Sequence, residues 1–110
     1  MLEQVVQAIP IEPKEVVHQL TLINKPRHRI RSFLAQYTDI SIGVEEFISN
    51  MNNNNKATLQ DRVRTLNSLR KVVNEHYDSL SARDITSAAL CERALKLIAE
   101  KERYLARLAK

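Results

Sequence analysis

The chain has 110 residues, 44% of them hydrophobic and 27% charged, with a formal net charge of +4. That size and balance fit one folded domain with a single modest core and exclude a disordered tail. One glycine, three prolines and one cysteine exclude a turn-rich sheet protein, the glycine loops that cradle phosphates or dinucleotides, and an internal disulfide.

The N-terminal residues MLEQVVQAIPIEP carry an acid where a secretory signal needs bases, and no long apolar stretch follows. No run approaches the roughly 18–20 apolar residues of a membrane span, so a cytoplasmic protein without membrane contact is expected. Pro10 and Pro13 end any N-terminal turn, and Glu12-Pro13 is a suitable helix start. From there Val16, Val17, Leu20 and Ile23 recur at helical spacing, and Asn24 closes that segment.

The next segment opens with Lys25-Pro26-Arg27-His28-Arg29-Ile30-Arg31, four full positive charges in seven residues with no acid among them. Its apolar face is Ile30, Phe33, Leu34 and Tyr37. Cations at a helix start oppose the partial positive charge of the aligned peptide dipoles, so something anionic is expected to offset them. At about 100° per residue, Arg27 and Arg31 share one flank of the apolar face and Arg29 takes the other. Two readings follow. The arginines pair with Glu12, Glu15, Glu45 or Glu46 beside the core, or they surround an anion at the helix start.

Thr38-Asp39-Ile40-Ser41 breaks that helix and caps another, in which Val44, Phe47, Ile48 and Met51 repeat the spacing. Residues 33–51 can be tested as a helix-turn-helix, with Ala35, Ile40 and Ser41 at suitable offsets. Asp39 stands where such a turn usually wants glycine, however, and Glu45 and Glu46 would repel phosphates from a recognition helix. Two short packed helices account for the same residues.

Asn52 to Asn55 form the one low-complexity run and read as a loop. Beyond it, Thr58-x-x-Asp61 and Ser81-x-x-Asp84 both resemble capping boxes. The first opens the stripe Leu59, Val63, Leu66, Leu69, Val72, Val73, Tyr77 and Leu80. The second opens Leu90, Cys91, Ala94, Leu97, Ile98, Tyr104, Leu105 and Leu108. These predict two helices of about 30 and 40 Å, joined so closely that they should pack antiparallel.

The expected fold is therefore all-α. One domain spans residues 1–110, with short helices over 1–51, the Asn-rich loop over 52–57 and a long helical hairpin over 58–110. The final turns, at Tyr104, Leu105 and Leu108, overhang their partner helix and are candidate self-association residues.

Chemistry finds little support. Glu15-x-x-His18 has the spacing of one half of a di-iron site but lacks a second such pair. His28 and His76 have no ligand-spaced partners, and Cys91 lies alone on an apolar stripe. No nucleophile is matched with a base, so no catalytic residue, metal or cofactor is expected. A pI near 9.5 favours an acidic partner. The candidate contacts for nucleic-acid phosphates are Lys25, Arg27, His28, Arg29 and Arg31, with Arg103, Arg107 and Lys110 as a secondary basic group. An adapter or assembly subunit that meets an acidic protein and oligomerises through its long helices is the rival reading.

Overall fold

In the computed structural model, residues 13–22 and 27–109 are described, and they form five helices and no strand. These are α1 (Pro13–Leu22), α2 (Arg27–Leu34), α3 (Ile40–Asn52), α4 (Leu59–Ser79) and α5 (Ile85–Leu108). Ile23, Asn24, Lys25, Lys110 and everything before Pro13 lie outside the described residues. The molecule measures 52 × 42 × 20 Å, a slab two helices thick, so every helix keeps one wet face.

Apolar residues from all five helices meet in one core. Val17 and Leu20 of α1 join Ile30, Phe33 and Leu34 of α2 and Val44, Phe47 and Met51 of α3. Leu66, Leu69, Val72 and Val73 of α4 and Cys91, Ala94, Ile98 and Leu105 of α5 complete it. The most extensive packing is between α4 and α5, followed by α3 on α5 and α1 on α3. Tyr77 donates to Glu92 at 2.9 Å and Arg70 reaches Glu102 at 3.2 Å, so the two links run in opposite order along the helices. Burial also pushes the Cys91 thiol up from its ordinary pKa and keeps it protonated.

Caps fix the helix starts. Thr58 and Asp61 form the expected capping box, each side chain accepting from the other residue's backbone N–H at 3.0 Å. Ser81-x-x-Asp84 is not a second box. The Asp84 N–H donates to the Ser81 carbonyl at 2.9 Å, closing a turn, and the Asp84 carboxylate takes the Ser87 N–H. Asp84 is therefore the N-cap and α5 begins at Ile85.

The stripes also need correction. Val63 is exposed because it points roughly 90° away from the inward line through Leu66, Leu69 and Val73. Arg62 occupies that line instead, donating to the Asn54 carbonyl at 2.9 Å. In α5, Tyr104 and Leu108 are exposed, whereas Leu105 is 1% exposed and already covered by the chain's own helices. Leu105 is thus a core residue and is withdrawn from the self-association candidates.

Three polar or small residues do more than their surroundings announce. Asn54, inside the Asn run, is 2% exposed. Its amide donates to the His18 carbonyl and its oxygen accepts the Lys56 N–H, tying α1 to the start of α4. The His18 ring donates from Nε2 to the Asn50 carbonyl at 3.0 Å, serving the open end of α3. A Cβ at Gly43 would lie 2.9 Å from Tyr37 Cδ1 and 3.1 Å from Leu34 Cδ2, so the single glycine permits the close approach of α3 to the end of α2.

Asn54→Ala should lower unfolding stability by about 1–3 kcal/mol, because buried partners lose their hydrogen bonds. Asn55→Ala, at an exposed position, should change it by less than about 0.5 kcal/mol. Urea midpoints for the two variants check this contrast. Gly43→Ala should also be destabilising, since overpacking costs about 1–3 kcal/mol against a gain of about 1 kcal/mol from helix propensity.

Candidate anion-binding surface

Helix α2 has eight residues and no acid in its first turn. Ile30, Phe33 and Leu34 are buried, and Phe33 stacks edge-on against Phe47 with ring centroids 5.5 Å apart. That seam turns the rest of α2 outward. Arg27, His28, Arg29 and Arg31 are all exposed, so four of the five proposed contacts share one short solvent-facing element.

Two of these arginines meet an acid that the local sequence does not point to. Arg27 Nη1 lies 3.2 Å from Glu75 Oε2, and Arg31 Nη2 lies 2.8 Å from Glu75 Oε1. Each carboxylate oxygen takes one guanidinium, which places α2 beside α4. The expected partners Glu15, Glu45 and Glu46 are exposed elsewhere, and Glu12 lies outside the described residues. Both arginines stay more than half exposed, at 51% and 59%, so an incoming anion can reach them. Among the described residues, Arg29 makes no ion pair.

One carboxylate facing two guanidiniums leaves a net positive charge. Lys71 adds to it, because it lies one turn before Glu75 on the same face of α4 and is exposed. The hydrogen bond from Arg31, with the charges of Arg31 and Arg27, holds the Glu75 carboxyl below the usual glutamate range. Lys71 and Glu75 were not legible as site residues, since 44 to 48 positions separate Glu75 from its partners and no local period links them.

Beside this patch lies a cleft of about 430 Å³ between α2, the start of α3, the end of α4 and the start of α5. Leu34, Val72, Leu80 and Leu90 contribute to its apolar lining, and Arg31, His76 and Asp84 are its titratable lining residues. Arg103 and Arg107 are not part of the patch, and Lys110 lies outside the described residues. Helix α5 meets α4 at Arg70 through Glu102, and from there the chain carries Arg103 and Arg107 away from Glu75. Near that end, Lys101 Nζ lies 4.4 Å from the centroid of the Tyr104 ring.

The helix-turn-helix and di-iron ideas gain nothing from the geometry. Ala35, Glu45 and Glu46 face solvent, and the His18 ring is engaged as a helix cap. No group of three or more His, Cys, Asp or Glu side chains among the described residues is arranged to hold a metal ion. No helix among the described residues is long and apolar enough to cross a membrane. Comparison with protein-family models, with curated proteins and with solved structures returns no match, so the residues alone carry the functional reading.

The sign of the Glu75 shift sets a pH dependence. A carboxyl held low in the folded state contributes stability that is complete above its unfolded value, about 4.3, and lost as pH falls through the lowered one. Wild type should therefore melt above Glu75→Gln near pH 7, and the gap should close in acid. Thermal melts between pH 7 and pH 2 measure this; a gap that widens in acid contradicts the assignment.

Proposed function

We propose that this chain is a non-enzymatic accessory module of the cytoplasm that contacts nucleic-acid phosphates through the outer face of α2. Arg27, Arg29 and Arg31 supply guanidinium forks, His28 an auxiliary donor and Lys71 a flanking charge; Lys25 extends the same basic run in the sequence. The observation that carries this reading is the exposure of four basic side chains on a helix whose opposite face is wholly apolar. Helices α4 and α5, paired as an antiparallel hairpin, form the scaffold on which α2 is displayed.

Contacts of this kind go to the backbone and not to base edges, so binding should depend weakly on sequence and strongly on salt. Stacking on single strands is disfavoured, because Phe33 and Phe47 are buried, Tyr37 and Tyr77 half-buried, and exposed Tyr104 lies on α5 outside the patch. A second reading, an adapter for an acidic protein, draws on the apolar lining of the cleft beside Arg31 and on exposed Tyr104 and Leu108.

Fluorescence anisotropy with labelled duplex and single-stranded oligonucleotides across a salt series separates the readings. The phosphate reading expects duplex binding that weakens with salt, and a log–log slope shallower by about 2 in Arg27→Ala/Arg31→Ala, at roughly 0.9 per phosphate contact. No binding at low salt removes it, and an unchanged slope places the contact elsewhere.

A further inference from the structure

Glu75 accepts from two guanidiniums through separate oxygens, at 2.8 and 3.2 Å, while remaining 45% exposed itself. It thus occupies the fork that an external anion would need. A phosphodiester presents two non-bridging oxygens in much the same arrangement as the two oxygens of a carboxylate. We infer that Arg27 and Arg31 form an exchangeable phosphate site in which Glu75 is the resident anion and leaves when a phosphate ester arrives.

The inference rests on the phosphate reading above and adds to it a named site and a residue that sets its affinity. Exchange is feasible because exposed ion pairs are weak and solvent-screened, whereas phosphate binding also releases counterions from the nucleic acid. One carboxylate leaves two guanidiniums under-neutralised, so the fork retains attraction for an incoming anion. Glu75 then acts as a brake. Once displaced, it remains on the adjoining face of α4 and repels the bound phosphate. Lys71, one turn back, Asp78, about one turn further along α4, and His76 beside the cleft are the other titratable groups of this face, and among the described residues neither Asp78 nor His76 makes a hydrogen bond or ion pair with the arginines.

The test is a duplex titration of the full chain by anisotropy, comparing wild type with Glu75→Gln. The variant should bind about fivefold more tightly at low salt, the scale on which an exposed ion pair competes. Its log–log salt slope should steepen by about 0.9, one further charge being available to phosphate. Glu100→Gln removes the same charge from an exposed position on α5 and should give a smaller gain. In Arg27→Ala/Arg31→Ala the gain from Glu75→Gln should vanish. Circular dichroism establishes that each variant is folded, and Glu75→Ala provides a second version of the change. If wild type binds and Glu75→Gln and Glu75→Ala bind no better, the exchange is overturned and the phosphate reading stands. If no protein binds duplex at low salt, both are overturned. Binding of a polyglutamate peptide but of no oligonucleotide overturns the phosphate assignment in favour of an acidic protein.

Discussion

Helix α2 cannot hold its own shape. Eight residues are too few for a stable isolated helix, so its existence depends on the burial of Ile30, Phe33 and Leu34 against α3 and α4. That dependence fixes everything that follows from it. The same contact that forms the helix decides which residues face water, and those residues are basic. Phe33 is central, packing against Phe47 of α3 and against the Tyr37 ring that follows α2. Gly43 lets α3 come close enough for that seam to shut. The display of positive charge is therefore a consequence of apolar packing, with Glu75 orienting two of the charges.

Polar links hold the rest of the slab in register. At one edge, Asn54 joins the His18 carbonyl to the loop before α4, and Arg62 returns to the Asn54 carbonyl. Where α1 meets α4, buried Thr21 and Thr65 each donate within their own helix, at 2.7 Å to Val17 and Asp61. The two hydroxyls are satisfied, as burial demands, whereas Arg62 Nε is buried without a hydrogen-bond partner among the described residues. The basic patch lies apart from that edge, so its exposed side chains can exchange partners without loosening buried hydrogen bonds.

Much of this was legible in the sequence, and the reason is periodicity. Helices α3 and α4 follow their apolar spacing and caps, because Asp39 and Thr58 act within four residues of the groups they serve. The all-helical class followed from the same local signals. What stayed hidden was set by distant contacts. Arg62 stands on the inward line of α4 where spacing alone favoured Val63, and Asn54 is the buried member of four identical neighbours. The pairing of α2 with Glu75 follows from how α2 and α4 dock, which no spacing along the chain encodes. The spacing marks Asp84 as a capping residue but not which one, because a carboxylate three residues after a serine fits the N3 position of a capping box as well as the N-cap it occupies.

We propose the outer face of α2, with the adjoining turn of α4, as the place where an anionic partner lands. Backbone amide shifts recorded by NMR during titration with a short duplex test it residue by residue. The largest changes are expected at Arg27 to Arg31, Lys71 and Glu75, with the Arg103 and Arg107 turn changing less. Changes confined to α3 or to the end of α5, with α2 unmoved, would contradict it.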